Sequence, residues 1–144
     1  MSDFKIALES IKERFNKCNK PEELYQMIIS LGSELPQFDN SKKIEDNLVK
    51  GCQSLMYITT STESGRFFFT AYSDALISKG LAALLYLVYQ GQTLETVIHE
   101  PPVFLKEWGI LSSLSPTRSN GVLSLYLRMK HEAIKHLART TAHL

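Results

Sequence analysis

Residues 81–89 read LAALLYLVY, an unbroken apolar run. It is too short to span a bilayer, so a helix here has to be buried in protein. The wider segment, from a cap at Ser73 or Asp74 to about Gln90 with Gly91 as its stop, is apolar on nearly every face. Such a helix needs packing partners all round, and the rest of the chain has to supply them. Gly80 inside it costs roughly 1 kcal/mol against alanine and implies close backbone packing there.

Periodicity and punctuation give the surrounding elements. A first helix starts near Asp3, whose side chain can cap it, and carries Phe4, Leu8, Ile11, Phe15 and Cys18 on one face. The NKP of residues 19–21 breaks it, and Pro21 suits the first position of a second helix. Leu24, Ile28, Leu31 and Leu35 form the second stripe, Pro36 ends it, and the two helices are expected to pair antiparallel. Residues 37–47 are polar and aperiodic, which predicts a surface loop. LMYITT (55–60) and RFFFTAY (66–72) are aromatic and β-branched, so they predict two strands joined by an STESG loop (61–65). TLETVI and PVFLKEW predict two short helices, the second closed by Trp108. SPTRSNG (115–121) reads as a turn-rich loop before a helix from about 122 to 138, with Leu123, Tyr126, Leu127, Ile134 and Leu137 as its buried face. The expected fold class is α+β: a small antiparallel sheet packed against helices in one domain, residues 1–144.

Composition removes several function classes. Hydrophobic residues make up 44% of the 144 and charged residues 22%, a globular balance. The formal charge of +1 offers no broad basic field, which speaks against a general nucleic-acid or membrane-surface role. The N-terminal MSDFKIALESIKERF has no apolar core of the secretory type, and its acids do not suit a transit peptide. Two cysteines then imply reduced thiols and a cytoplasmic setting. No CxxC or HExxH spacing occurs, so no metal site and no cofactor is expected.

The two thiols differ. Cys18 continues a hydrophobic stripe and reads as a small core residue. Cys52 lies in NLVKGCQS, between Gly51 and the small polar Gln53 and Ser54, just ahead of the first strand. Gly51 permits unusual backbone angles and close approach. Lys50, two residues upstream, is placed to favour the reactive thiolate. Two readings stand: a reactive thiol, or a semi-buried loop cysteine without a role. A cysteine hydrolase would need a histidine base. His131, His136 and His143 read as a solvated face of the last helix, which leaves His99, at the end of a short helix. Thiol exchange, in which one accessible cysteine takes a sulfur-bound group and passes it on, needs no such partner.

GCQS (51–54), SDALISKGL (73–81) and LSPTRSNG (114–121), in that order and spacing, together with LGSELP (31–36), closely resemble the SufE family over about residues 4–137. Thr117 stands where serine is usual, and Tyr57 where the family often has tryptophan. The resemblance implies the SufE/IscU-like fold, with the reactive cysteine on a loop beside the sheet. It also implies a sulfur acceptor that takes sulfane sulfur onto Cys52 from a SufS-like cysteine desulfurase, stimulates that enzyme, and passes sulfur to a SufBCD-like iron–sulfur scaffold. The pyridoxal phosphate belongs to the partner. The chain would then be no stand-alone enzyme, but a monomer or weak homodimer.

Around Cys52, Gly51, Gln53 and Ser54 would form the persulfide loop. Arg118 would lie near the cysteine, supporting a thiolate or docking the desulfurase, or simply bracing a turn. Asp74 reads as a helix cap first and a partner contact second, and Lys79 as a solvated charge or part of the partner surface. The thiol is expected to rest against an apolar pocket beside the helix of residues 75–89, sluggish through burial. The alternatives are a hydrolase or transferase using Cys52 and His99, and a binding-only regulator of a desulfurase.

Overall fold

A computed structural model describes residues 2–142 of the chain. At its centre, helix α3 (Leu76–Tyr89) has Ala82, Ala83, Leu84, Leu85, Val88 and Tyr89 fully buried. Four elements enclose it: α1 (Asp3–Phe15), α2 (Pro21–Leu31), the β-hairpin and the long C-terminal helix α7 (Pro116–Ala142). Helices α1 and α2 both lie more against α3 than against each other. Gly80 makes the α2 approach possible: a Cβ there would stand 1.9 Å from the carbonyl oxygen of Ile28 on α2, so only glycine fits. Helix α1 is capped by Ser2, whose Oγ accepts from the Lys5 amide, and Asp3 is its first residue rather than its cap. The helix also stops at Phe15, so Cys18 lies beyond its stripe.

The sheet has two strands, β1 (Met56–Glu63) and β2 (Arg66–Ser73), paired antiparallel from Met56 opposite Ser73 to Glu63 opposite Arg66. Strand β1 runs three residues further than the sequence pattern suggested, to Glu63, because the connection is only Ser64–Gly65. Their φ values of 53° and 75° are those a tight two-residue hairpin turn demands. Phe67, Phe69 and Ala71 alternate inward along β2, with Met56 and Ile58 beside them on β1, and meet α3. Ser73 is the buried last residue of β2, its Oγ accepting from the Ala75 amide. Neither it nor Asp74 caps α3, whose N-cap is Ala75.

After Gly91 the chain returns to β2, with Phe67 N–H donating to the Gln92 carbonyl, and enters α4 (Leu94–His99), α5 (Phe104–Glu107) and α6 (Ile110–Ser113). Residues 37–47, expected as loop, hold two single 3-10 turns, Asn40–Lys42 and Glu45–Asn47. The larger differences concern α7. It begins at Pro116, a favoured residue for a first helical position, with the Ser115 oxygens accepting from the Arg118 and Ser119 amides. The supposed loop 115–121 is therefore mostly the opening of the helix. Its buried face is Val122, Leu125, Tyr126, Met129 and Ala133, whereas Leu123, Leu127 and Ile134 point outward. The architecture is α+β, with seven α-helices and two strands among the described residues.

Candidate functional site

Between Val49 and Met56 the backbone leaves the sheet, makes a short excursion and returns. Val49 is buried, and its N–H donates to the Met56 carbonyl at 2.9 Å, closing the base of the excursion. Everything between lies along α7 and the start of α3. Gly51 has φ +93°, and a Cβ on it would meet Ser124 Oγ of α7 at 2.5 Å. Two independent constraints therefore require glycine. Next to it, the Cys52 thiol donates to the carbonyl oxygen of Gly121, 3.4 Å away. Ser54 Oγ accepts from Ser78 Oγ of α3 at 3.2 Å. Upstream, the Arg128 guanidinium on α7 donates to the carbonyls of Leu48 (3.0 Å) and Asp46 (2.6 Å) and to Glu132 (3.0 Å).

Cys52 is half-buried and opens onto a cavity of about 400 Å³. Its apolar wall is Met56, Leu81, Ala82, Val122 and Leu125; Ser54, Ser78, Ser115, Thr117 and Arg118 supply its polar side. Burial pushes the Cys52 thiol up, and the carbonyl it faces favours the protonated form as well. At rest the sulfur is thus a neutral, shielded thiol. Among the lining residues, Arg118 and those bearing hydroxyls carry the donors suited to a negative sulfur once one forms.

The other sequence candidates scatter. Gln53, exposed beside the thiol, and Ser54 line the cavity with Cys52, and Arg118 reaches it from the first turn of α7. Asp74 is exposed in the turn before α3 and does not line it. The half-buried Lys79 lays its stem over Gly32, just beyond the end of α2, where a Cβ would be 3.3 Å from its Cγ. Lys50, expected to favour thiolate, lines a separate cleft with Glu45, Asp46 and His131. His99 is exposed at the end of α4, and among the described residues no histidine lines the Cys52 cavity, so the hydrolase alternative lacks its base. His136 does not share the solvated face: its Nε2 is 3.0 Å from Thr60 Oγ1 on β1, and its ring meets Phe67 edge-on. His143 lies outside the described residues. Cys18 sits in an open surface groove with its sulfur 3.6 Å from the Glu23 carbonyl, and burial and the Glu23 charge push its thiol up. Among the described residues, no three His, Cys, Asp or Glu side chains gather as metal ligands. The sequence reading gave no site role to Ser78, Gly121, Ser124 or Arg128, although Ser78 and Gly121 lie within the SDALISKGL and LSPTRSNG motifs.

Residues 9–133 match the family model described as SufE, Fe-S metabolism associated domain. The chain belongs to the SufE family. An uncharacterized SufE-like protein of Synechocystis sp. is 35% identical over 127 residues, covering 88% of this chain and 80% of that protein. SufE-like protein 1, chloroplastic/mitochondrial, of Arabidopsis thaliana is 30% identical over 128 residues, 88% of this chain but 34% of that longer protein. The solution structure of a hypothetical protein from Thermus thermophilus shares the fold, with a TM-score of 0.76 at 23% identity over 92% of this chain and 96% of that one. Membership in SufE places the role of the chain in iron–sulfur metabolism. The SufE match spans the Cys52 loop, the N-terminal half of α3 and α7 as far as residue 133, which are the elements that build the cavity. Among the described residues, no helix is long and apolar enough to cross a membrane.

Proposed function

We propose that this protein is a sulfur acceptor and persulfide carrier, with Cys52 as the residue that holds the sulfur. The observation that carries this reading is a single half-buried thiol on a glycine-hinged loop, opening into a cavity with an apolar wall and a polar side. A cysteine desulfurase bearing a persulfide is the donor. The Cys52 thiolate attacks the terminal sulfur of that persulfide, a new S–S bond forms at Cys52, and the old one breaks to leave the donor's thiolate. One sulfur atom moves, the charge balance is unchanged and no external oxidant is needed. The acceptor then delivers the sulfur to an iron–sulfur assembly scaffold by the same exchange.

The cavity is suited to the interval between the two transfers. The apolar wall limits water and reductant at the sulfur, while Arg118 and the hydroxyls offer donors to the more acidic persulfide. A resting thiol kept neutral by burial stays inert until a partner draws it out. Asp74 and Lys79, which do not line the cavity, remain candidates only for the partner-facing surface.

Incubation with a cysteine desulfurase and L-cysteine, followed by peptide mass spectrometry, tests the assignment. One additional sulfur atom is expected on the peptide containing Cys52. Cys52→Ser should abolish acceptance and the stimulation of the desulfurase, and Cys18→Ala should preserve both. Sulfur found on Cys18 alone, or full stimulation by Cys52→Ser, would overturn the reading; the second outcome would make the protein a binding-only regulator.

A further inference from the structure

We infer that Arg128 is a positioning residue for Cys52, acting through the backbone of the segment that carries the thiol. This rests on the carrier reading above and adds to it the device that sets how readily the sulfur is reached. Arg128 touches neither Cys52 nor the cavity. Its guanidinium donates to two successive anchor points on the approach to the cysteine, the carbonyls of Asp46 and Leu48, and Glu132 one turn along α7 holds it in place.

The geometry gives these bonds leverage. Residues 46–52 run antiparallel to α7: Asp46 and Leu48 sit at Arg128, Gly51 over Ser124, and Cys52 at Gly121. Seven residues separate Gly121 from Arg128, about 10 Å along a helix axis and nearly two whole turns, so both lie on one face. Four residues separate Leu48 from Cys52, at most about 14 Å of extended chain. Little slack remains, and freeing the Leu48 end loosens the seat of the thiol. A second tether competes with this one: the Val49–Met56 hydrogen bond and the burial of Val49 close the base of the loop independently of Arg128. Which tether governs Cys52 is a measurable question.

The measurement is the rate of Cys52 alkylation by iodoacetamide as a function of pH, in a Cys18→Ala background so that one thiol reports. Arg128→Ala removes the donors to Asp46, Leu48 and Glu132. Loss of charge-assisted bonds should raise the population of the loosened loop, and with it the alkylation rate at fixed pH, by about tenfold or more. The pH midpoint of the reaction should fall toward that of an ordinary thiol. Arg128→Lys, which keeps the charge and one reach toward a carbonyl, should lie between the two. An unchanged rate and midpoint in a folded Arg128→Ala protein would overturn the inference and leave the Val49–Met56 base as the governing tether. Where Arg128→Ala does not fold, Arg128→Lys carries the same test, and a parent-like profile for it overturns the inference equally. These readings need no desulfurase. Failure of the parent protein to accept sulfur would strike the carrier reading alone.

Discussion

Gly51→Ala is the sharpest perturbation of the site, because it acts beside the sulfur without removing it. Two costs follow from the geometry. A left-handed φ of +93° disfavours any Cβ, by about 1–2 kcal/mol for an alanine. The new methyl also stands 2.5 Å from Ser124 Oγ and 3.2 Å from Ser124 Cβ. Rotating the hydroxyl away relieves the first contact at a cost of about 1 kcal/mol; the second remains. Stiffening of the unfolded chain gives back about 0.4–1 kcal/mol. The net destabilisation is about 1–3 kcal/mol, and at about 2–4 °C per kcal/mol it is visible in thermal unfolding. Where the loop yields locally instead, Tm moves little and the strain appears at the thiol: Cys52 leaves Gly121, and alkylation accelerates with a lower pH midpoint. Circular-dichroism melts and iodoacetamide kinetics on the same samples read both outcomes. Adding Ser124→Ala should restore part of the loss, because the φ term survives it. A Gly51→Ala protein with parental Tm and parental alkylation would refute the description of this loop, and complete recovery by Ser124→Ala would refute the backbone component.

Two further outcomes concern the scaffold. Gly80→Ala should destabilise by at least the upper part of the usual 1–3 kcal/mol for overpacking, despite about 1 kcal/mol of helix propensity regained, because the 1.9 Å contact is with the Ile28 carbonyl and not with a movable side chain; urea denaturation measures it, and a neutral result would contradict the α2–α3 contact. Burial and the nearby Arg139 hold His136 below the ordinary imidazole range, so the unfolded chain takes up its proton first; the stability tied to neutral His136 is complete above about pH 6.5 and is lost as pH falls through the lower folded value. Unfolding midpoints between neutral and mildly acidic pH should therefore fall less steeply for His136→Gln than for the parent, and equal slopes would contradict the placement of this ring against Thr60 and Phe67.

Elements with one strong physical signature were readable from the residues. The apolar segment around LAALLYLVY has to be central, and α3 is; Gly80 signalled a close backbone approach, and Ile28 supplies it. Errors arose where polarity served as a proxy for loop. Ser61, Thr62 and Glu63 are polar because the far end of the hairpin is exposed, not because the strand has ended. SPTRSNG combines a helix cap, a proline suited to a first turn and a glycine, and those three letters together imitate a turn. The face of α7 was misassigned because its apolar residues form two stripes, and only tertiary packing selects Val122, Leu125, Met129 and Ala133. For the site, Cys52 was legible from its own neighbours. Ser124 and Arg128 were not, since their roles depend on residues more than seventy positions earlier in the chain.

Gly121, Ser124 and Arg128 share one helix, and that has a consequence for how the sequence can change length. Each residue added to an α-helix turns everything beyond it by about 100° and advances it by about 1.5 Å. A single insertion between positions 121 and 128 would keep the sulfur's acceptor carbonyl where it is and swing the guanidinium to another side of the rod. The chain segment laid along it would then lose one hold or the other. Substitutions inside this interval are graded in effect, whereas insertions and deletions are all-or-none. By the same geometry, a spliced linker or affinity tag is tolerable in the exposed Ser64–Gly65 turn and not within those two helical turns.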